Sequence, residues 1–450
     1  MRLKTKLLIS KHGPFLLLLL ALGIHGRCYQ KSSLLQADLM KQAFRWDTRG
    51  YFAYLPAWTI YRDLSFQFIE PIEQIRHGLG TEGYEFRVKQ ANGSVVNKCF
   101  SGSSLLILPF YAITHAVQLI ENPTQADGYS APYLDVFFSA ALFYVLAGLI
   151  LLYMSLMAFR ISPLASSIAI GSLFMGTNLY YYSLIESGMT HAFSFFAISL
   201  LIFLITLCIQ KPMNSPLLIS AGLVLGLVLL IRPVNGIILV ITPFLLALKP
   251  GSWKNLILIL SRPLPMLLAV MAILILPAFQ LVQYKLATGQ FWVYSYSHET
   301  FDFFHPHFTD ILFSYKKGLF MYTPLLLLSS LGTFLWKEKP GILLSWWFAF
   351  GMITWVLSSW WSWWYGGSFG LRAFVDFLPL FAFPLALLIQ HSFQNFKWLI
   401  PMMLLLVVLC ELNRAMIWEY RNGIIHWDSM NKELYWKSIE KLPMYFKACY

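Results

Sequence analysis

Hydrophobic and polar positions along this chain form long blocks rather than a short alternation. A first apolar stretch, 7–24, is followed by about a hundred mostly polar and aromatic residues, and after those apolar spans run almost without pause to residue 412. Runs of about 17–25 apolar residues are long enough to cross a hydrocarbon layer as helices. Backbone groups in lipid need partners within their own segment, and these runs lack the two-residue alternation of barrel strands, so the spans are predicted to be α-helical. They fall near 7–24, 133–157, 163–182, 190–209, 215–231, 234–248, 263–282, 318–335, 341–358, 373–390 and 397–412. The pattern predicts an all-α polytopic membrane protein: about eleven transmembrane helices over 1–412, a large first outer loop over 25–132 and a short outer tail over 413–450.

Lysine and arginine in the short loops set the orientation. Arg2, Lys4, Lys6 and Lys11 precede the first span and place the N-terminus inside. Alternation then puts Arg160, Lys211, Lys249, Lys254, Arg262, Lys337, Lys339 and Lys397 inside as well. The apolar segment 105–120 is short for a span and contains Pro109, so it is expected to lie as a helix in the outer interface. Counting it as a span would put Glu121 and Asp127 inside and Arg160 outside. The first apolar stretch has a second reading as a cleavable signal, although Arg27 before Cys28 makes a poor small-residue cleavage site.

Composition narrows the function classes. The residues are 58% hydrophobic and 12% charged, with a formal net charge of +12, against about a quarter charged in a soluble domain. Much of that charge is the inside-positive bias; the rest can meet lipid headgroups or lipid phosphates. No basic cluster sits in a soluble domain, which argues against nucleic acid as a partner. Cys28, Cys99 and Cys449 fall on outer segments, where a Cys28–Cys99 disulfide is one option. Asn92-Gly93-Ser94 is a glycosylation triplet that matters only in a secretory host.

Ionisable residues avoid the span centres, where coupled transporters usually carry them, and no duplicated halves are visible. They gather instead at the outer ends: Asp135, Glu186, Arg232, Arg372, Asp376 and Glu411. A site at the outer membrane face is expected, built from three elements. The first is Arg45-Trp46-Asp47-Thr48-Arg49-Gly50-Tyr51-Phe52-Ala53-Tyr54. Here Asp47 either caps a helix beginning near Arg49 or serves as a general base, with Tyr51 and Tyr54 as a wall. Asp38 and Asp63 are the competing carboxylates; Asp63, in a Tyr-Arg-Asp turn, looks like a cap.

The second element is the loop from Tyr294 to Asp310. It carries His298, Glu299, Asp302, His305 and His307, followed by Lys316 and Lys317. There is no ligand spacing for structural zinc; its carboxylates, with waters, leave Mg²⁺ or Mn²⁺ open. The third runs Trp360-Trp361-Ser362-Trp363-Trp364-Tyr365-Gly366-Gly367-Ser368-Phe369-Gly370-Leu371-Arg372. An interfacial aromatic belt accounts for the tryptophans. Glycines also allow close approach to a ligand, arginine suits phosphate, and aromatic faces suit sugar rings. Arg372 has a rival partner in Asp376, four residues on.

With these parts the chain resembles the GT-C membrane glycosyltransferases, in particular bacterial relatives of the protein O-mannosyltransferases and aminoarabinose transferases. The resemblance rests on the first span, the acidic residue early in a long outer loop, the amphipathic stretch before the second span, Leu230-Ile231-Arg232-Pro233 at an outer hairpin, and the late segment 367–372. The family's Lys-Pro-Pro segment is absent, with Asn97-Lys98-Cys99-Phe100-Ser101-Gly102 in its approximate place. The resemblance implies a GT-C-like bundle in a bacterial inner membrane, N-terminus inside and active site on the periplasmic face, with no required cofactor. It implies a polyprenyl-phosphate-sugar donor and a lipid, glycan or protein acceptor. Asp47 would be the base, and Arg372, Arg232 and Lys316 would face the donor phosphate. Tyr51, Tyr54, Trp364, Tyr365 and Glu299 would line the substrate. The rival from another class is a lipid or polysaccharide transporter or flippase, for which polar residues inside spans, such as Asn178, would carry function.

Overall fold

The computed structural model describes residues 2–34, 44–78, 84–296 and 299–449, with side chains over 12–31, 44–78, 84–296 and 299–447. The helices in chain order are α1 (Arg2–Leu34), α2 (Asp47–Pro56), α3 (Gly102–Glu121), α4 (Ala131–Ala158), α5 (Pro163–Met175), α6 (Leu179–Leu184), α7 (His191–Gln210), α8 (Ser215–Ile231), α9 (Thr242–Ala247), α10 (Ser252–Leu260), α11 (Pro263–Thr288), α12 (Phe308–Phe313), α13 (Leu319–Tyr322), α14 (Pro324–Gly332), α15 (Pro340–Ser358), α16 (Leu378–Ser392), α17 (Phe396–Arg421) and α18 (Lys432–Cys449). Tight 3₁₀ segments precede α9 (Pro233–Ile241) and α16 (Arg372–Phe377). The described sheet is one hairpin, β1 (Arg87–Lys89) against β2 (Val95–Asn97), turned through Gly93 at φ 82°.

Among the described residues seven helices are long and apolar enough to cross a membrane. Six of them, α4, α7, α11, α15, the 372–392 unit ending in α16, and α17, coincide with predicted spans. Four predicted spans, 163–182, 215–231, 234–248 and 318–335, are shorter apolar helices, and the first apolar stretch lies within α1.

Two of those shorter helices have identifiable causes. The first breaks at Gly176-Thr177-Asn178, where the Thr177 hydroxyl bonds back to Leu173 O at 2.6 Å and accepts from Leu179 N at 3.2 Å. The second breaks at Thr323-Pro324, because proline brings no N–H to continue the ladder. The two breaks meet: Thr323 Oγ1 donates to Asn178 Oδ1 at 3.1 Å.

The seventh helix is α3, which runs unbroken through Pro109. Its two ends are tied to different elements, one to α11 and the other to the polar segment after α2. Ser101 N, just before it, donates to Gln280 Oε1 at 3.0 Å. Beyond its other end Asp127 pairs with Arg76 at 2.9 Å and His77 at 2.7 Å.

The polar layer that follows α1 is continuous. Asn97 Nδ2 donates to Gly50 O at 2.7 Å, Lys98 pairs with Glu299 at 2.6 Å, and Asp302 N donates to Ser359 O at 2.7 Å. With the Lys316–Asp428 contact, segments 44–78, 84–101, 299–318, 359–372 and 422–431 share one end of the bundle. Within the bundle, α8 and α11 meet at Gly222 and Gly226. A Cβ there would stand 2.3 and 2.5 Å from the Ala269 and Ile273 carbonyl oxygens, so only glycine permits this helix separation.

Candidate active site

Asp47 opens α2, two residues before the helix start expected near Arg49. It is not the cap. Trp46 holds that position, at φ 49° and ψ −133°, without a side-chain cap bond. This backbone region is costly for an L-residue, and Trp46 keeps its side chain exposed. The Asp47 carboxylate instead faces Arg372, with Oδ2 3.5 Å from Nη2; the side chains are 38% and 19% exposed. The candidate base and the candidate phosphate arginine thus share one partly open place.

The expected Arg372–Asp376 alternative is overturned. Residues 372–377 form a 3₁₀ helix, in which positions three apart align and positions four apart diverge by about 120°. Asp376 turns into the bundle and is fully buried. It accepts from His191 Nδ1 at 2.7 Å, Arg232 Nη1 at 3.0 Å and Asn235 Nδ2 at 2.8 Å. Arg232, expected at the donor phosphate, therefore already holds a carboxylate through Nη1.

Tyr51 and Tyr365 are both buried near the site's arginines. Tyr51 is buried beside Asp47, Cys99, Tyr296 and Arg232; burial, and then the negative groups near it, push its hydroxyl well above the ordinary tyrosine value. Tyr365 lies near Arg232 and Arg372, its hydroxyl donating to Leu357 O at 3.0 Å.

Tyr54 does not form a wall with Tyr51. Its hydroxyl donates to Cys99 O at 2.9 Å and accepts from Gln280 Nε2 at 3.2 Å, and its ring stacks on Trp58. Tyr54 ties α2 to α11 instead of facing Asp47. Glu299 is held by Lys98.

Lys316 lies 3.7 Å from the centre of the Trp364 ring and 3.5 Å from Asp428 of the tail, so two expected site residues meet at the rim. The more central cation is its neighbour. Lys317 is 2% exposed and donates to the Ser368 carbonyl. Burial pushes its ammonium down to about 7 against the pull of Glu186. The glycine-rich loop that receives it turns at Tyr365 (φ 59°), Gly366 (φ 68°) and Gly370 (φ 54°). At Gly370 a Cβ would also fall 2.6 Å from Asn178 Nδ2, the amide that holds Phe369 O at 3.2 Å. Asn178 thus holds the loop to the break between α13 and α14.

Glu186, in the turn between α6 and α7, was legible only as an outer-end acid. It accepts from Tyr181 OH at 2.9 Å. Burial raises its carboxyl above the ordinary value, opposed by Tyr181, Arg372 and Lys317. His191 carried no recognisable motif; it begins a span after Ser187-Gly188-Met189-Thr190 and acquires its partner only through the fold.

Asp63 accepts from Ser65 N at 2.8 Å and Gln67 N at 2.7 Å, as its turn context implied. The other competing carboxylate, Asp38, and His298 of the histidine loop lie outside the described residues. In that loop Asp302 pairs with His305 and His307 with Asp310, each three residues apart. No three metal-ligating side chains converge among the described residues. Cys28 is an exposed free thiol and Cys99 a buried one, so they form no disulfide. The Cys99 thiol instead lies 3.7 Å from the Asp47 carbonyl.

No family model, curated protein or solved structure matches this chain.

Proposed function

We propose that this protein is a membrane glycosyltransferase that moves a sugar from a polyprenyl-phosphate donor to a hydroxyl of a lipid, glycan or protein acceptor. The observation that carries the reading is the Asp47–Arg372 pair, a carboxylate and a guanidinium 3.5 Å apart and both partly open, at one end of an apolar bundle. A lipid-borne substrate reaches such a site from the bilayer, which accounts for chemistry-bearing residues at the ends of spans rather than along them. The working face is the outer one, in a bacterial inner membrane, with α3 lying in its interface.

In the reaction Asp47 accepts the acceptor hydroxyl's proton. The hydroxyl oxygen attacks the anomeric carbon from the face opposite the phosphate. The bond from that carbon to the phosphate oxygen breaks, its electron pair stays on the phosphate, and configuration inverts. Arg372 and Lys317 stabilise the charge that grows on the leaving phosphate, and Arg232 adds to their field. Tyr51, Tyr365 and Trp364 supply apolar ring faces for the sugar.

The test is transfer in proteoliposomes. Purified protein is supplied with a panel of short-chain polyprenyl-phosphate hexoses and pentoses and a membrane lipid extract, and products are read by mass spectrometry. Sugar-bearing product from wild type and none from Asp47→Asn is expected. Donor movement across the bilayer without any new glycosidic bond would replace the reading by transport.

A further inference from the structure

Asp376 is fully enclosed, and its partners come from two regions far from it in sequence, the start of α7 and the junction between α8 and α9. His191 comes from the first turn of α7, Arg232 from the junction after α8, Asn235 from the 3₁₀ segment before α9, and Asp376 from the 3₁₀ segment before α16. Both carboxylate oxygens are engaged: Oδ1 by His191 at 2.7 Å, Oδ2 by Arg232 at 3.0 Å and Asn235 at 2.8 Å. Asn235 also donates to Ser194 Oγ at 3.0 Å, which ties the array to the next turn of α7. His191 Nδ1 carries its hydrogen toward Asp376, since a carboxylate can only accept. Its ring meets Tyr182 edge-on, with centroids 5.0 Å apart.

Exposure is uneven across the array. The side chains of Asp376 and His191 are 0% and 3% exposed, while that of Arg232 is 20% exposed. Arg232 is the member of the network whose side chain keeps exposed surface, and Tyr51, Tyr296 and Tyr365 lie near it. A buried ion pair is a poor source of net stability compared with apolar packing, whereas an arginine fork fixed by a carboxylate on one side is pre-organised for a second anion on the other. Arg232 and Arg372 also differ in kind. Arg232 is anchored from behind by a fully buried carboxylate, and Arg372 faces a half-open one.

We infer that Asp376, with His191 and Asn235, is a positioning device that holds the Arg232 guanidinium in place for the phosphate of a lipid-borne ligand. The inference rests on the functional reading above and names residues that reading does not need. Asp376 and His191 touch no ligand; they act through Arg232.

Binding of a short-chain prenyl monophosphate to the full chain in nanodiscs, read by tryptophan fluorescence, tests it alongside thermal unfolding. Wild type should bind. Asp376→Asn should bind roughly 10–100-fold more weakly, the size of effect seen when a group that orients a metal ligand is removed, and should lose thermal stability because Arg232 is left unpaired. The double variant Asp376→Asn/Arg232→Gln removes both charges, so its stability should recover while binding stays weak. His191→Asn, whose amide can donate where Nδ1 does, should bind nearly as wild type; His191→Phe should not.

Binding by Asp376→Asn or by the double variant at wild-type strength would overturn the inference and leave the functional reading standing. A wild type that binds no prenyl phosphate, under conditions where it is folded, would overturn both.

Discussion

Asp47 and Arg372 face one another across 3.5 Å although one opens the helix after the first apolar stretch and the other precedes the penultimate long helix. The ion pair joins a proton acceptor to an anion binder, so loss of either partner should be read against the other. Asp47→Asn is nearly isosteric and should lower transfer by about 10²–10⁴-fold, the range for a lost general base. Arg372→Lys should fall between wild type and Arg372→Ala, because the charge stays and the planar fork is lost. Both should insert and fold as wild type does. Transfer by Asp47→Asn at the wild-type rate, in a system where wild type is active, would remove it as base. Asp63→Asn serves as a control whose cost should appear in stability only.

Lys317 gives the site a pH dependence. Its folded-state value of about 7 lies below the ordinary 10.5. From about pH 7 to 10.5 the unfolded chain therefore binds more protons at this residue than the folded one, so Lys317 makes the protein more stable as pH rises through that window. A bound phosphate reverses the preference by favouring the ammonium. Prenyl phosphate affinity should then fall as pH rises from 6 to 9, a trend that Lys317→Met should flatten. An equal slope in wild type and Lys317→Met would assign the dependence elsewhere.

Tyr54 separates a structural tyrosine from a substrate-facing one. Tyr54→Phe removes the hydroxyl shared by Cys99 O and Gln280 and should cost about 1–3 kcal/mol in unfolding, since buried partners are left unsatisfied. Its transfer rate should stay near wild type. Tyr51→Leu, which removes the ring face assigned to the sugar while staying apolar, should show the reverse balance, with transfer affected more than the melting temperature.

Membrane topology can be checked by labelling. Trp361 and Trp427 are more than half exposed, and both belong to the polar layer that holds the site. Cysteines at 361 and 427 should react with an impermeant thiol reagent from one side of sealed vesicles, and a cysteine at 339 from the other. Labelling of 427 and 339 from the same side would show that the count of spans between them, α15, the 372–392 unit and α17, is wrong by one.

The sequence by itself determined the class of this protein, because spans of the required length have few alternatives in lipid. Six predicted spans recur as long helices, and the three clusters marked as candidate chemistry all lie in one polar layer. Pairing within those clusters was decided only by the tertiary structure. Arg372 and Asp376 look like neighbours at helical spacing, but a 3₁₀ turn separates them and hands one to Asp47 and the other to His191, Arg232 and Asn235. Lys316 and Lys317 are equivalent as letters; one lies at the rim on Trp364 and the other is buried against Ser368. The physical reason is common to each case. Periodicity records which face of a local element is apolar, whereas the partner of a buried charge is set by elements far away in the chain that happen to end at the same depth.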